Sequence, residues 1–181
     1  MEKSTPWANW QPCPFKVADA ALRRITDDNI RSVLTVRTTA EQERFVSPVG
    51  QSLAEAAECP EANPWFRAVF VDQHWVGFVM LSWNVEPQPP EILGPWFLWK
   101  ILIDERHQGR GYGREALQLV SDIVRATGAA ELLTSCVPGH DGPEPFYRHL
   151  GFAPTGGHDE KGEIILALQL GVTELDAGGP N

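Results

Sequence analysis

The chain has 181 residues, 43% of them apolar, with a net charge of −9 and a pI near 5.0. That length and apolar content suffice for one domain with a full core. The acidity argues against nucleic acid as a partner, because no basic face is left to neutralise phosphates, and it favours the approach of cationic amines.

Residues 1–20 carry Pro6, Pro12 and Pro14 among Trp7, Trp10 and Phe15 without a clear period. They read as an extension that packs by its aromatics or stays mobile. Residues 21–25 suit a first strand. Thr26-Asp27-Asp28-Asn29 offers an N-cap to a helix in which Ile30, Val33, Leu34 and Arg37 recur at helical spacing. Ser52 and Glu55 have the spacing of a capping box, opening a short helix that Pro60 stops. Residues 65–71 and 75–83 are β-rich and predict a hairpin about Asp72-Gln73-His74. A proline-rich loop, 86–91, precedes the apolar run Trp96–Ile103, which only Lys100 interrupts and which fits a buried central strand rather than a membrane span.

Next come a glycine-rich loop and an amphipathic helix with Ala116, Leu117, Val120, Ile123 and Val124 on one stripe. Residues 131–137 predict a strand and 143–150 a short helix, with Asp141 and Glu144 as a capping box and Gly151 as its left-handed end. Residues 156–162 predict a turn, 163–170 a closing strand and 171–181 a disordered tail. The domain is therefore expected over 21–170. Its order, β-α-α-β-β-β-α-β-α-β-β, is an α/β pattern.

The N-terminus lacks the apolar core of a signal peptide. The cysteines, Cys13, Cys59 and Cys136, are three and widely spaced. They suit a reducing cytoplasm and form neither a disulfide framework nor a zinc pattern. His74, His107, His149 and His158 show no metal-ligand spacing and read as solvated or loop residues, so no metal is expected.

Gln108-Gly109-Arg110-Gly111-Tyr112-Gly113 carries the most chemistry. It links the central strand to the long helix, where backbone N–H groups at a positive helix end suit a phosphate. Lys100, Arg106, Arg110 and Arg114 outnumber Asp104 and Glu105 in this otherwise acidic chain. A P-loop would need Gly-Lys-Ser/Thr, but Gly113 is followed by Arg114-Glu115. A dinucleotide fingerprint would need glycine where Arg114 stands.

The pattern Gln-x-x-Gly-x-Gly, with Phe146-Tyr147-Arg148-x-Leu150-Gly151-Phe152 downstream, resembles the GNAT N-acetyltransferases over roughly residues 22–170. The run Ile103-Asp104-Glu105-Arg106-x-Gln108-Gly109 is most similar to the bacterial spermine/spermidine (diamine) acetyltransferase branch. The resemblance implies the GNAT fold, a mixed central sheet of about six to seven strands flanked by about four helices, with acetyl-coenzyme A as cosubstrate. It further implies transfer of the acetyl group to a primary amine by direct attack in a ternary complex. The loop from Gln108 to Gly113 would hold the pyrophosphate. Arg110 and Arg114 would add charge, backbone groups of Ile101 and Ile103 would hold the pantetheine arm, and an amide near Leu102 would polarise the acetyl carbonyl.

Tyr147, by itself a residue of a helix surface, becomes the acid that protonates the departing thiolate. His140 stands where relatives carry an asparagine on the pantetheine; it either replaces that donor or lies on a loop of different path. Trp99 and Lys100 stand where the branch carries a carboxylate for its polyamine, so a monoamine with an aromatic, neutral or carboxylate-bearing body is expected to be the better acceptor. Glu86 and Glu91 are either solvated or take the proton of the amine. A protein N-terminus or lysine as acceptor, and a non-catalytic acyl-coenzyme A sensor, are the alternative readings. A homodimer is common in the resembled family.

Overall fold

A computed structural model describes residues 20–171. The extension expected at 1–20 and the tail expected at 171–181 lie outside the described residues but for Ala20 and Gly171. One seven-stranded sheet has the order β1-β2-β3-β4-β5-β7-β6. Its strands are β1 (Ala21–Arg23), β2 (Pro64–Val71), β3 (His74–Trp83), β4 (Trp96–Ile103), β5 (Glu131–Cys136), β6 (Ala153–His158) and β7 (Ile164–Gln169). The helices among the described residues are α1 (Ile30–Val33), α2 (Val49–Glu58), α3 (Tyr112–Arg125) and α4 (Glu144–His149). β4 and β5 are parallel, joined by α3, and all other neighbours are antiparallel.

Each face of the sheet is apolar and covered. Val69, Val79, Leu81 and Leu98 face Ala116, Leu117, Val120 and Val124 of α3, and Tyr147 of α4 joins the same cluster. Phe78, Met80 and Leu102 on the other face pack against Val33, Val49 and Ala56 of α1 and α2. Ile123, expected on the α3 stripe, falls at its edge and is exposed. The β2–β3 hairpin turns through Asp72 and Gln73, both at positive φ, which is the backbone a two-residue hairpin requires.

Several expected details change. α1 is a single turn that ends at Val33 rather than running to Arg37. Thr35 bends its hydroxyl to the Ser32 carbonyl, and the Arg37 N–H bonds Asp104 instead of a helical acceptor. Neither predicted capping box forms. The N-cap of α2 is Pro48, with the Ser52 hydroxyl turned back to the carbonyls of Ser47 and Pro48. The N-cap of α4 is Pro143, and Glu144 accepts from the Gly139 N–H at 2.8 Å. Gly156 and Gly157 belong to β6, where the register with β7 shifts, so the turn is shorter than 156–162.

The segment between α1 and α2 straps across the C-terminal end of β4. It is tied to Asp104, which is fully buried and accepts from the N–H groups of Arg37 and Arg106 and from the Arg106 guanidinium at 2.8 and 3.0 Å. Gln42 and Gln108 join their amides further along, with Gln108 Nε2 donating to Gln42 Oε1 at 2.7 Å. Burial works to raise the Asp104 carboxyl, but the bonds from Arg106 and Arg37 and the Arg106 charge bring it from 3.8 down to about 2. A carboxyl depressed in the folded state adds stability that is complete above its unfolded value and is lost as pH falls through the folded one. Asp104→Asn should therefore cost about 2 kcal/mol at neutral pH. It should also flatten the decline of stability between about pH 4 and pH 2, read from urea melts across that range.

Candidate active site

β4 and β5 pair only at Phe97–Leu133 and Leu98–Thr134, and then part. The last rung is closed by the Thr134 hydroxyl, which donates to the Leu98 carbonyl at 3.0 Å. Across the β3–β4 ladder the register jumps between Met80–Lys100 and Leu81–Leu98, so Trp99 is the extra residue of a bulge. A bulge increases local twist, and β4 swings away from β5 where this one lies.

Beyond the bulge the alternation of β4 can be followed. The Asp104 N–H bonds the Val76 carbonyl on β3. By the two-residue period, Leu102 also turns its main-chain groups to β3, while those of Ile101 and Ile103 face the gap. The N–H of Leu102 itself is thus spent on the sheet, and the amides near it that are available to a ligand are those of its two neighbours. The Ile103 carbonyl already accepts from Gln108 Nε2 at 2.9 Å. Gln108 therefore serves as a brace between strand, loop and strap.

At the open end of the gap stands the glycine loop. Gly109 and Gly111 have φ of 73° and 88°, a left-handed conformation that glycine adopts without strain, and Gly111 is the N-cap of α3. Gly113 lies inside the first turn, where a Cβ would stand 3.4 Å from the Phe146 ring. The first N–H groups of α3 have no acceptor within the helix and point out at this end. Arg110 and Arg114 are exposed beside them, and Arg114 donates to His149 Nε2 at 2.8 Å. That contact places His149 on α4, facing α3, and the residue is exposed, as expected for it.

Tyr147 packs between Phe146 and Phe152, with ring centroids 5.3 and 5.4 Å away. It is 7% exposed, not a surface residue, and its hydroxyl lies by Thr134 at the apex of the gap. Burial pushes the phenol well above its ordinary value, against a lowering by the Thr134 hydrogen bond. Cys136, on the same strand, is likewise pushed by burial, up to about 11. His140 is exposed in the β5–α4 loop and lines a cavity of about 610 Å3 with Gly139, Glu144, Pro145, Arg148 and His149.

The bulge turns Trp99 and Lys100 together to the α1/α2 face, Trp99 against the core there and Lys100 to Glu55 of α2 at 3.0 Å. Glu86 and Glu91 are not brought to the gap. They are exposed on an extension of the β3–β4 hairpin, held by a Val85 N–H bond to the Pro95 carbonyl and the Gln88–Ile92 bridge, beyond the closed end of β4. Sequence reasoning had missed Asp104, Gln42, Thr134 and Glu55. Only Thr134 carried a signal, as a polar residue in an apolar strand.

The sequence profile described as the acetyltransferase (GNAT) family matches residues 25–152, more than half of the chain. The chain belongs to this family. It is accordingly an acetyl-coenzyme A-dependent N-acetyltransferase. A spermine/spermidine N(1)-acetyltransferase of Bacillus subtilis is 25% identical over 150 residues, covering 82% of this chain and 97% of that protein. Among solved structures, an acetyltransferase of Thermus thermophilus superposes with a TM-score of 0.63 at 18% identity, covering 86% of this chain and 99% of the other. A PaiA N-acetyltransferase of Thermoplasma acidophilum, solved in complex with coenzyme A, gives 0.57 at 13% identity, covering 83% and 98%.

In this GNAT enzyme the N–H groups of residues 104–107 are spent inside the protein. On either side of them the gap and the glycine loop with the α3 N-terminus offer two separate sets of main-chain groups, the second suited to a diphosphate. Gly111→Ala and Gly111→Glu impose the same backbone strain at φ 88°, but only the second adds charge and bulk at the helix terminus. The glutamate variant is expected to bind acetyl-coenzyme A at least ~10-fold more weakly than the alanine variant. Calorimetry on the two folded proteins checks this, and equal affinities would remove the diphosphate from this loop.

Proposed function

We propose that the enzyme acetylates a primary amine of a small molecule by direct attack on the thioester in a ternary complex. The observation that carries this reading is the gap beyond Leu98–Thr134 with the Tyr147 phenol at its apex. The glycine loop and α3 hold the diphosphate. The pantetheine arm adds to the open edge of β4 as a strand would, bonding the outward groups of Ile101 and Ile103. The thioester then lies near the bulge, with the acetyl oxygen on the Ile101 N–H and the sulfur toward Tyr147.

The amine sheds its proton to water and attacks the acetyl carbon. A tetrahedral oxyanion forms on the Ile101 N–H, a donor already fixed by the strand. The nitrogen of the tetrahedral intermediate gives its extra proton to water, the C–S bond breaks, and the Tyr147 proton passes to the sulfur. A phenol with a raised pKa remains loaded with its proton across neutral and alkaline pH. Cys136, a thiol with pKa near 11, offers no thiolate to carry the acetyl group in a covalent step.

Two facts favour a small acceptor. The strap between α1 and α2 borders the gap on the α1/α2 face and is tied down at Asp104, Gln108 and Lys100. The relative from B. subtilis is named for small amines. Turnover of polyamines, aromatic monoamines, amino acids, aminoglycosides and peptides, followed by release of free coenzyme A, tests the class. A small amine should lead by kcat/KM, and a peptide leading the panel by tenfold would overturn the reading.

Tyr147→Phe keeps the ring packing and removes only the proton donor. We expect kcat to fall about 10²-fold with KM for acetyl-coenzyme A little changed. The wild-type kcat should show no alkaline limb from this group up to about pH 10, because its pKa is raised by burial. A wild-type kcat in Tyr147→Phe, measured where chemistry limits the rate, would assign thiolate protonation to solvent.

A further inference from the structure

The two faces of the sheet at the gap have different owners. The glycine loop feeds into α3, and α3 with Tyr147 of α4 covers the face of Val79, Leu81 and Leu98. An acetyl-coenzyme A entering from that side leaves only the α1/α2 face for the amine. The polar side chains waiting there are few and are engaged with one another. Lys100 Nζ is 3.0 Å from Glu55 Oε2 and 3.2 Å from Ser47 Oγ. Glu55 Oε1 accepts from Ser47 Oγ at 3.0 Å and from Gln51 Nε2 at 3.1 Å. The Ser52 hydroxyl fixes the Ser47 carbonyl from behind. The network is closed and neutral.

We propose that Lys100 is a specificity-determining residue that keeps Glu55 from pairing with a second ammonium of the acceptor, so that the enzyme discriminates against diamines and longer polycations. This rests on the reading of the gap as the site of acetyl transfer.

Among the described residues, Glu55 is the one carboxylate that pairs with Lys100 at the bulge. Its side chain is 33% exposed and that of Lys100 17%. A carboxylate in that partly desolvated setting needs a counter-ion, and removal of one partner leaves the other charge uncompensated. Burial alone would raise the Glu55 carboxyl, but the Lys100 ammonium, with Ser47 and Gln51, holds it below the ordinary carboxylate value. It therefore stays anionic at neutral pH. With Lys100 in place that charge is already matched, and a dication gains nothing over a monocation. Without Lys100, the remote ammonium of a diamine becomes the natural counter-ion, while a monoamine with a neutral body has none to offer.

The test is the ratio of kcat/KM for a linear α,ω-diamine to that for 2-phenylethylamine. It is measured in the wild type, Lys100→Met, Lys100→Arg and the double variant Lys100→Met/Glu55→Gln. Lys100→Met is expected to raise the ratio at least tenfold. Lys100→Arg, which keeps the ion pair, should leave it at the wild-type value, and the double variant should return it there. Where Lys100→Met does not fold, Lys100→Gln is read in its place, since it removes the charge but keeps a donor to Ser47. An unchanged ratio in the neutral variant, or a gain that survives Glu55→Gln, overturns the proposal. Failure of the underlying reading looks different: the wild-type enzyme would then turn over neither amine while acetylating a peptide.

Discussion

Backbone N–H and C=O groups on a strand edge inside a protein must find partners, and β4 loses its partner strand after Leu98. The cause is local. One extra residue, Trp99, is accommodated against β3 as a bulge, and the added twist carries the rest of β4 away from β5. α3 cannot close the gap, because its buried stripe of Ala116, Leu117, Val120 and Val124 fixes it against the sheet and so fixes the crossover to β5. The gap is thus a consequence of packing, and the unpaired edge is a demand for a ligand with strand-like hydrogen bonding. A pantetheine arm, with its two amides, meets that demand.

Placement of the two reactants follows from the same bulge. It turns Trp99 and Lys100 together to the α1/α2 face, and the alternation that resumes after it aims Ile101 and Ile103 into the gap. The strap then has to be held over the end of β4, where no sheet hydrogen bonds are available to hold it. Asp104 accepts from the Arg37 N–H of the strap, the Glu105 N–H bonds the Arg37 carbonyl, and the Arg106 N–H and guanidinium supply the three further bonds that fix the Asp104 carboxylate. The charge is affordable in a buried position because every bond is made to the ionised form. Gln42 and Gln108 add a neutral tie that involves the first residue of the glycine loop, so the loop on the coenzyme side and the strap on the amine side share one brace.

The element order and the sheet were legible in the sequence because each element carries its own period or punctuation: the β-rich runs of β2 and β3, the stripe of α3, the glycines before it. The loop and Tyr147 were legible as a pattern shared with a family, whereas spacing alone would have left Tyr147 at the surface. What could not be read was every contact between segments distant in sequence. Asp104 looked like an offset to nearby arginines, yet 67 residues separate it from the Arg37 N–H that it binds. Lys100 looked like a free cation at the acceptor site, yet α2 brings Glu55 to it. The capping boxes failed for a local reason, since Ser52 and Glu144 find partners five residues back, at Ser47 and Gly139.

The burial at the apex also bears on the proposed role of Tyr147 as an acid. Tyr147 and Cys136 are both shifted upward by desolvation, which means that this pocket resists any new negative charge. A coenzyme thiolate released beside them would meet the same resistance, and water is poorly placed to solvate it. The cheapest course for the departing sulfur is to receive a proton as the C–S bond breaks. A phenol whose own ionisation is suppressed keeps its proton in the resting enzyme until the C–S bond breaks, and it regains one from solvent after release. Burial thus keeps Tyr147 protonated across neutral and alkaline pH. The Thr134 hydroxyl, anchored on the Leu98 carbonyl, holds the phenol at the rung where the strands part and the thioester is expected to end.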